Sequence, residues 1–180
     1  NLYTTSRSKF LSTNHIKHDL SFPLIKNFSK FPKKIHCIIH LASLVDESNM
    51  DFKIIEKNLL YAYNLAEYAN HVCVNKVINI SSIAVYGSPF KNNDYNEKDA
   101  CRPISNYGLS KYLSEQIFSS HLNKKITIGH FRLGYTITPF LRESSILKRF
   151  DDALKNNKDV TLINANSSKL NLIDARDLSS

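Results

Sequence analysis

Glycine is nearly missing from this chain. Its 180 residues hold four, at 87, 108, 129 and 134, so no Gly-rich loop of the kind that offers backbone N–H groups to a phosphate can be drawn anywhere in it. Cysteine is equally sparse. Cys37, Cys73 and Cys101 are odd in number and far apart, with no CxxC spacing, which argues against a disulfide framework and a zinc knuckle and favours a reducing, cytoplasmic setting. No apolar run approaches the roughly 18 residues of a membrane span, and no signal-peptide pattern opens the chain, so no membrane partner is expected. There is no initiator Met, the single methionine being Met50. Arginine is scarce as well, at six residues. The formal charge of +8 comes mostly from scattered Lys, which read as solvated faces, and phosphate-reading surfaces usually lean on the Arg fork, so no nucleic-acid partner is expected. The seven His, His36 and His40 among them, lack clustered acidic or Cys partners, so no metal site is expected.

What remains is enough for one domain with a sizeable core: 42% of the residues are hydrophobic. Residues 35–41 (IHCIIHL) form a short continuous apolar run, the pattern of a strand buried on both faces. Over 51–70 the residues Ile54, Ile55, Leu59, Ala62, Leu65, Ala66 and Ala69 recur at three- and four-residue steps and predict a helix. KVINIS (76–81) reads as a second buried strand, 105–121 as a second helix carrying Tyr112, Leu113, Ile117 and Phe118, and ITIGHFRL (126–133) as a third strand. Weaker patterns suggest strands at 1–5, 15–20, 159–163 and 170–174 and a helix at 143–156. Strands alternating with helices point to βαβ units and a parallel sheet.

Within this frame, YGLSK places Tyr107 and Lys111 at i and i+4 near a helix start, which stacks them on one face. SSIAVYG places Ser81 and Ser82 at the carboxyl end of a predicted parallel strand, where ligands collect in open α/β sheets. The loop 87–104 between them is long enough to fold over a substrate. A free Tyr, with a pKa of about 10, is a poor base at neutrality. An ammonium about 4 Å away, at an effective dielectric near 20, favours the phenolate by roughly 4 kcal/mol, about three pKa units. Tyr107 could then exchange a proton with a substrate hydroxyl or carbonyl, and a Ser hydroxyl could hold the same oxygen. Each element alone is common by chance; their order, after a buried strand and before a helix, is not.

Together these segments resemble the extended short-chain dehydrogenase/reductases, the NAD(P)-dependent epimerase/dehydratase family, over nearly the whole chain. HCIIHLA (36–42) is similar to the fourth-strand motif, NLLYAYNLAEYA (58–69) to the Asn-led helix after it, and VINISSIAVYG (77–87) to the fifth-strand motif. PISNYGLSKYLSEQ (103–116) resembles the catalytic helix, FRLGYTITP (131–139) the sixth-strand segment and NLIDARDLS (171–179) a late hydrophobic-Asp-Leu segment. The resemblance implies that Ser82 orients substrate, that Tyr107 is the catalytic acid/base, and that Lys111 lowers its pKa and holds the nicotinamide ribose. It further implies that Asp19 and Leu20 lie near adenine, that Leu41 and Ala42 form the strand end beside the cofactor, and that Asn58 is a cofactor-side Asn. His40 falls at a family position more often structural than catalytic.

The departures shape the expectation. Without a G-x-x-G-x-x-G loop, the chain is expected to begin inside the second strand of a doubly wound, Rossmann-like parallel sheet, lacking the first strand and its loop. Residues 1–134 would be a partial NAD(P)-binding domain, and 135–180 the sixth-strand extension with the start of a small substrate domain. The 180 residues alone are expected to be inactive. Arg132-Leu133-Gly134-Tyr135, then Thr138-Pro139, stand where sugar-nucleotide members read Arg-x-Gly-Asn before Gly-Pro, and Leu170 where an Arg often clamps the pyrophosphate. Arg7 stands where NAD-preferring relatives keep an acidic residue, and could meet the 2′-phosphate of NADP; the cofactor is thus NAD or NADP, with NADP favoured by Arg7. The expected function is oxidoreduction at a carbinol/carbonyl carbon of a small molecule, of the nucleotide-sugar epimerase or dehydratase type. Two alternatives are an NADPH-dependent reductase of a non-nucleotide carbonyl compound and a catalytically silent NAD(P)-binding regulatory protein. A homodimer of the full-length protein is left open.

Overall fold

The computed structural model describes residues 2–8, 14–45, 52–87, 95–138, 145–161 and 171–179. Its elements follow in the order β1 (Thr4–Ser6), β2 (His15–Lys17), β3 (Cys37–His40), α1 (Lys53–His71), β4 (Lys76–Ser82), α2 (Asn106–His121), β5 (Thr127–Leu133), β6 (Tyr135–Ile137), α3 (Ile146–Lys155), β7 (Leu172–Asp174) and α4 (Ala175–Ser179). Among the described residues every ladder is parallel: β1 with β2, β3 with β4, β4 with β5, and β6 with β7. The architecture is therefore the α/β sheet of βαβ units that the alternation implied.

β4 is central in the three-stranded sheet β3-β4-β5. Val77, Asn79 and Ser81 alternate as its buried positions, the two-residue period of a strand whose face is covered by helices. The cover is α1 and α2. Ala62, Ala66 and Ala69 leave no side-chain bulk between α1 and what it packs on, and all three are fully buried with Leu65, Val77 and Phe118. Burying a ring such as Phe118 is worth about 3–5 kcal/mol against alanine. The segment after β2 is tied to this core by buried polar groups. Asn64 Nδ2 donates to the Leu20 carbonyl at 2.7 Å, and Tyr68 Oη to that of Pro32 at 2.6 Å; burial pushes the Tyr68 hydroxyl up to about 12.

The upstream strands are shorter than their sequence pattern suggests. The run 15–20 stops at Lys17 because Asp19 makes a turn, accepting Ser21 N–H on its carboxylate at 2.9 Å and Phe22 N–H on its carbonyl at 3.0 Å. Downstream, residues 159–161 carry no strand, and the rest of the strand expected at 159–163 lies outside the described residues, as do Pro139 and Leu170. α3 starts behind Ser145, whose Oγ accepts Lys148 N–H at 3.1 Å. Among the described residues no helix is long and apolar enough to cross a membrane, and no group of three or more His, Cys, Asp or Glu is placed to hold a metal ion.

Among the described residues no ladder joins β1 to β3, so the pair β1-β2 and the sheet β3-β4-β5 are not bonded to each other. On the β3 side Ile39 and Leu41 are 56% and 72% exposed. Parallel strand edges bearing exposed aliphatics template further pairing. The isolated 180-residue chain should accordingly self-associate, as read by sedimentation velocity; a monodisperse monomer would mean that these edges are covered.

α2 meets the 3-10 turn Ile83–Tyr86 closely enough that a Cβ on Gly108 would lie 2.5 Å from the Ala84 carbonyl oxygen. Backbone cannot yield there as a flexible side chain would. Gly108→Ala should cost about 1–3 kcal/mol of stability, measured by urea unfolding of the full-length protein. A neutral substitution would show that the helix can back away from the turn.

Candidate active site

The carboxyl ends of β4 and β5 sit side by side, Ser81 opposite Arg132 and Ser82 opposite Leu133. There Ser82, Tyr107 and Lys111 line one cavity of about 240 Å³, with Leu41 and Ser43 on its far wall. The three candidate chemical residues, drawn from two elements, are thus brought to one place. Ser82 has extended backbone at the start of the 3-10 turn, and its Oγ accepts Ala84 N–H at 3.2 Å. That contact occupies a lone pair and leaves the hydroxyl proton as a donor.

Ser105 starts α2. Its Oγ accepts Gly108 N–H at 3.0 Å, so the helix begins one residue before Tyr107, and its first turn faces the strand end. Tyr107 is half-buried and Lys111 buried. The Lys111 ammonium donates to the Ile80 carbonyl at 2.5 Å. Burial lowers its pKa and the Glu115 carboxylate raises it, leaving it at about 8. Lys111 is therefore mainly charged at neutrality and loses its charge as the pH rises through that value.

Behind this pair lies a cluster that the sequence reading did not single out. Glu115, one turn beyond Lys111, accepts from Ser81 Oγ at 2.5 Å and from Arg132 Nε and Nη2 at 3.1 and 2.8 Å. Burial works to raise the Glu115 pKa, but the hydrogen bonds from Arg132 and Ser81 outweigh it and hold the carboxyl below its usual range. Arg132 also donates to Tyr86 Oη at 2.8 Å, and Tyr86 stacks on Tyr95 with centroids 4.8 Å apart. The available signal was the four-residue step 107, 111, 115. His40 is buried beside the Phe118 ring, and burial together with the Lys111 charge holds it neutral, down to about 3.

A second cavity, of about 280 Å³, adjoins the first through Leu41 and Ser43 and is lined by Arg7, Leu20 and Ala42, three of the residues singled out in the sequence. It also takes in His18 and Tyr61, which the sequence reading missed. Asp19 lies beside Leu20 in the turn after β2. Burial acts to raise its pKa, and the Ser21 hydrogen bonds with the Arg7 and Lys57 charges bring it below the usual value. Asn58 lines neither cavity. It is 3% exposed; its Oδ1 accepts Leu44 N–H at 2.8 Å, and its Nδ2 donates to Leu44 O at 3.1 Å and Ser110 Oγ at 2.9 Å. Its amide is spent on fixing the chain after β3 to both helices, so it bears on the cavities only through that segment. Gly134 has a structural reason as well: a Cβ there would meet Asn171 O at 2.4 Å, where Tyr135 N–H donates to the same oxygen at 2.8 Å.

Comparison with known proteins agrees with this fold. The chain is similar to dTDP-D-glucose 4,6-dehydratase of Dictyostelium discoideum, 28% identical over 144 residues that cover 72% of this chain and 33% of that protein. In structure it is similar to MoeE5 in complex with UDP-glucose and NAD, with a TM-score of 0.79 at 24% identity, over 97% of this chain and 59% of that one. It is likewise similar to UDP-N-acetylglucosamine 4-epimerase from Bacillus cereus, TM-score 0.79 at 19% identity, over 97% and 60%. The chain spans about a third of that curated relative and about three fifths of those structures. Residues 4–180 match a single family description from end to end, and the chain belongs to the NAD dependent epimerase/dehydratase family.

Proposed function

We propose that the full-length protein carries out NAD(P)-dependent oxidoreduction at a carbinol/carbonyl carbon of a sugar nucleotide, in the manner of an epimerase or dehydratase. The observation that carries this reading is the convergence of Ser82, Tyr107 and Lys111 on one cavity at the carboxyl ends of β4 and β5. The relatives whose names specify UDP- or dTDP-linked sugars support the substrate class.

The residues present fit a dinucleotide at two of its parts. Leu20, Leu41 and Ala42 offer an apolar wall for the adenine end, with Arg7 at its rim, and the adjoining cavity offers Tyr107 and Lys111. When bound, the nicotinamide supplies the two-electron redox chemistry. Tyr107 takes the proton from the substrate hydroxyl, or returns it to the carbonyl, at its phenolic oxygen. The Lys111 cation stabilises the phenolate form, and the Ser82 hydroxyl donates to the substrate oxygen and fixes its position. The Arg7 guanidinium favours a 2′-phosphate, which keeps NADP beside NAD as cofactor and a reductase of a non-nucleotide carbonyl compound as second reading. A silent regulatory role is disfavoured, because such a protein has no use for all three side chains.

Tyr107→Phe keeps the ring and removes the exchangeable proton. In the full-length protein it should reduce kcat by about 10²–10⁴-fold, the usual worth of general acid–base catalysis, while the calorimetric Kd for NAD(P) stays within a few-fold of wild type. Wild-type turnover by this variant would overturn the assignment.

A further inference from the structure

We propose that Glu115 is a positioning residue for the acid–base couple, its buried carboxylate keeping the Lys111 ammonium charged beside Tyr107 while it ties the ends of β4 and β5 to the same face of α2. The inference rests on the role proposed for Tyr107 and Lys111. Tyr107, Lys111 and Glu115 follow one another at four-residue steps, so their side chains stand in one row on the helix. Glu115 is 2% exposed, yet it is ionised, receiving a two-point fork from Arg132 and a hydroxyl from Ser81. Ser81 immediately precedes Ser82, so the same carboxylate that stands one turn from Lys111 on α2 also holds the strand end that carries the third member of the site.

Stability alone gives little reason for this arrangement. A buried ion pair can often be replaced by apolar side chains of similar volume at no loss. A carboxylate here has a second effect, because Lys111 is buried and donates to a neutral carbonyl, and burial alone drives an ammonium toward its uncharged form. Among the described residues, Tyr107 and Glu115 stand one turn to either side of Lys111 on α2. β3 brings His40, which is held neutral, and β4 brings the Ile80 carbonyl that the ammonium meets. On β5, Arg132 is paired with Glu115, and His130, whose pKa is lowered by burial, lies in the same cluster. Of these groups Glu115 is the carboxylate, and its charge favours the ammonium form of Lys111.

The test follows the Lys111 charge in two ways in the full-length protein. One is a nitrogen NMR titration of the lysine ammonium groups, with Lys111 assigned by its loss in Lys111→Met; the other is the basic limb of the kcat profile. Wild type should lose its charge at pH about 8. In Glu115→Gln, which keeps the shape and removes the charge, both midpoints should move down by about one to two pH units, as expected for loss of a neighbouring unit charge. Glu115→Asp keeps the charge and should restore most of the wild-type midpoint. If Glu115→Gln fails to fold because Arg132 is left unpaired, Glu115→Gln with Arg132→Met removes that burden, and it should still move the midpoint down, by less than the single variant because the Arg132 cation is lost as well. A uniform loss of activity with an unmoved Lys111 midpoint would reduce Glu115 to packing and overturn the proposal. That result is distinct from failure of the underlying reading, which would show as wild-type turnover by Tyr107→Phe.

Discussion

Everything at this site depends on how near α2 can come to the turn after β4. The helix meets the Ala84 carbonyl at a distance that admits no side chain at 108. The turn is shaped on its other side by Gly87, at φ +104°, where a Cβ would lie 2.5 Å from the Arg102 carbonyl. Two of the chain's four glycines thus do the same work from opposite sides: they let backbone lie on backbone. Only with that approach can the Lys111 ammonium reach the Ile80 carbonyl and Tyr107 share a cavity with Ser82. At 87 and 108 the chain has glycine where a side chain would meet backbone.

The second constraint is electrostatic. Lys111, Glu115, Arg132, His130 and His40 lie close together under the strand ends, and only three of them carry charge near neutrality. Burial neutralises the imidazoles, His130 included although its ring nitrogens meet the uncharged side chains of Asn79 and Ser119, and fails to neutralise Glu115, two of whose three hydrogen-bond donors belong to the Arg132 cation. At Glu115, hydrogen bonds from a charged partner outweigh depth.

The central elements were legible in the sequence because each carries its own period. β4, α1, α2 and β5 fall within a residue or two of the patterns that predicted them; β4 and α1 keep a buried face along their length, while β5, nowhere fully buried, was marked by its run of apolar and β-branched residues. β1 and β2 were legible only in outline: three residues hold too little pattern to mark an end, and the Asp19 turn cut the second one short. That Ser82, Tyr107 and Lys111 share one cavity could be expected, because a helical step and a strand end are local features. Glu115 was within reach of the same helical step, but its partners Arg132 and Ser81 were not, because they meet it only once β4 and β5 adopt a register that no single segment encodes. Asn58 is the instructive intermediate case. Its place in the motif was readable, but the fact that its amide is used up on Leu44 and Ser110 was not.

The interrupted sheet has a consequence for how such a protein can change over generations. One wall of the second cavity is supplied partly by β1 and the turn after β2, which are joined to the core by side-chain contacts such as Asn64 to Leu20 and Tyr68 to Pro32, without a backbone ladder to β3 among the described residues. Ser82, Tyr107 and Lys111 stand instead on the central strand β4 and on α2. Substitution at Arg7 or His18 can therefore reshape the second cavity while the Ser82–Leu133 register stays as it is. Two adjoining cavities of one chain are thus free to vary at different rates.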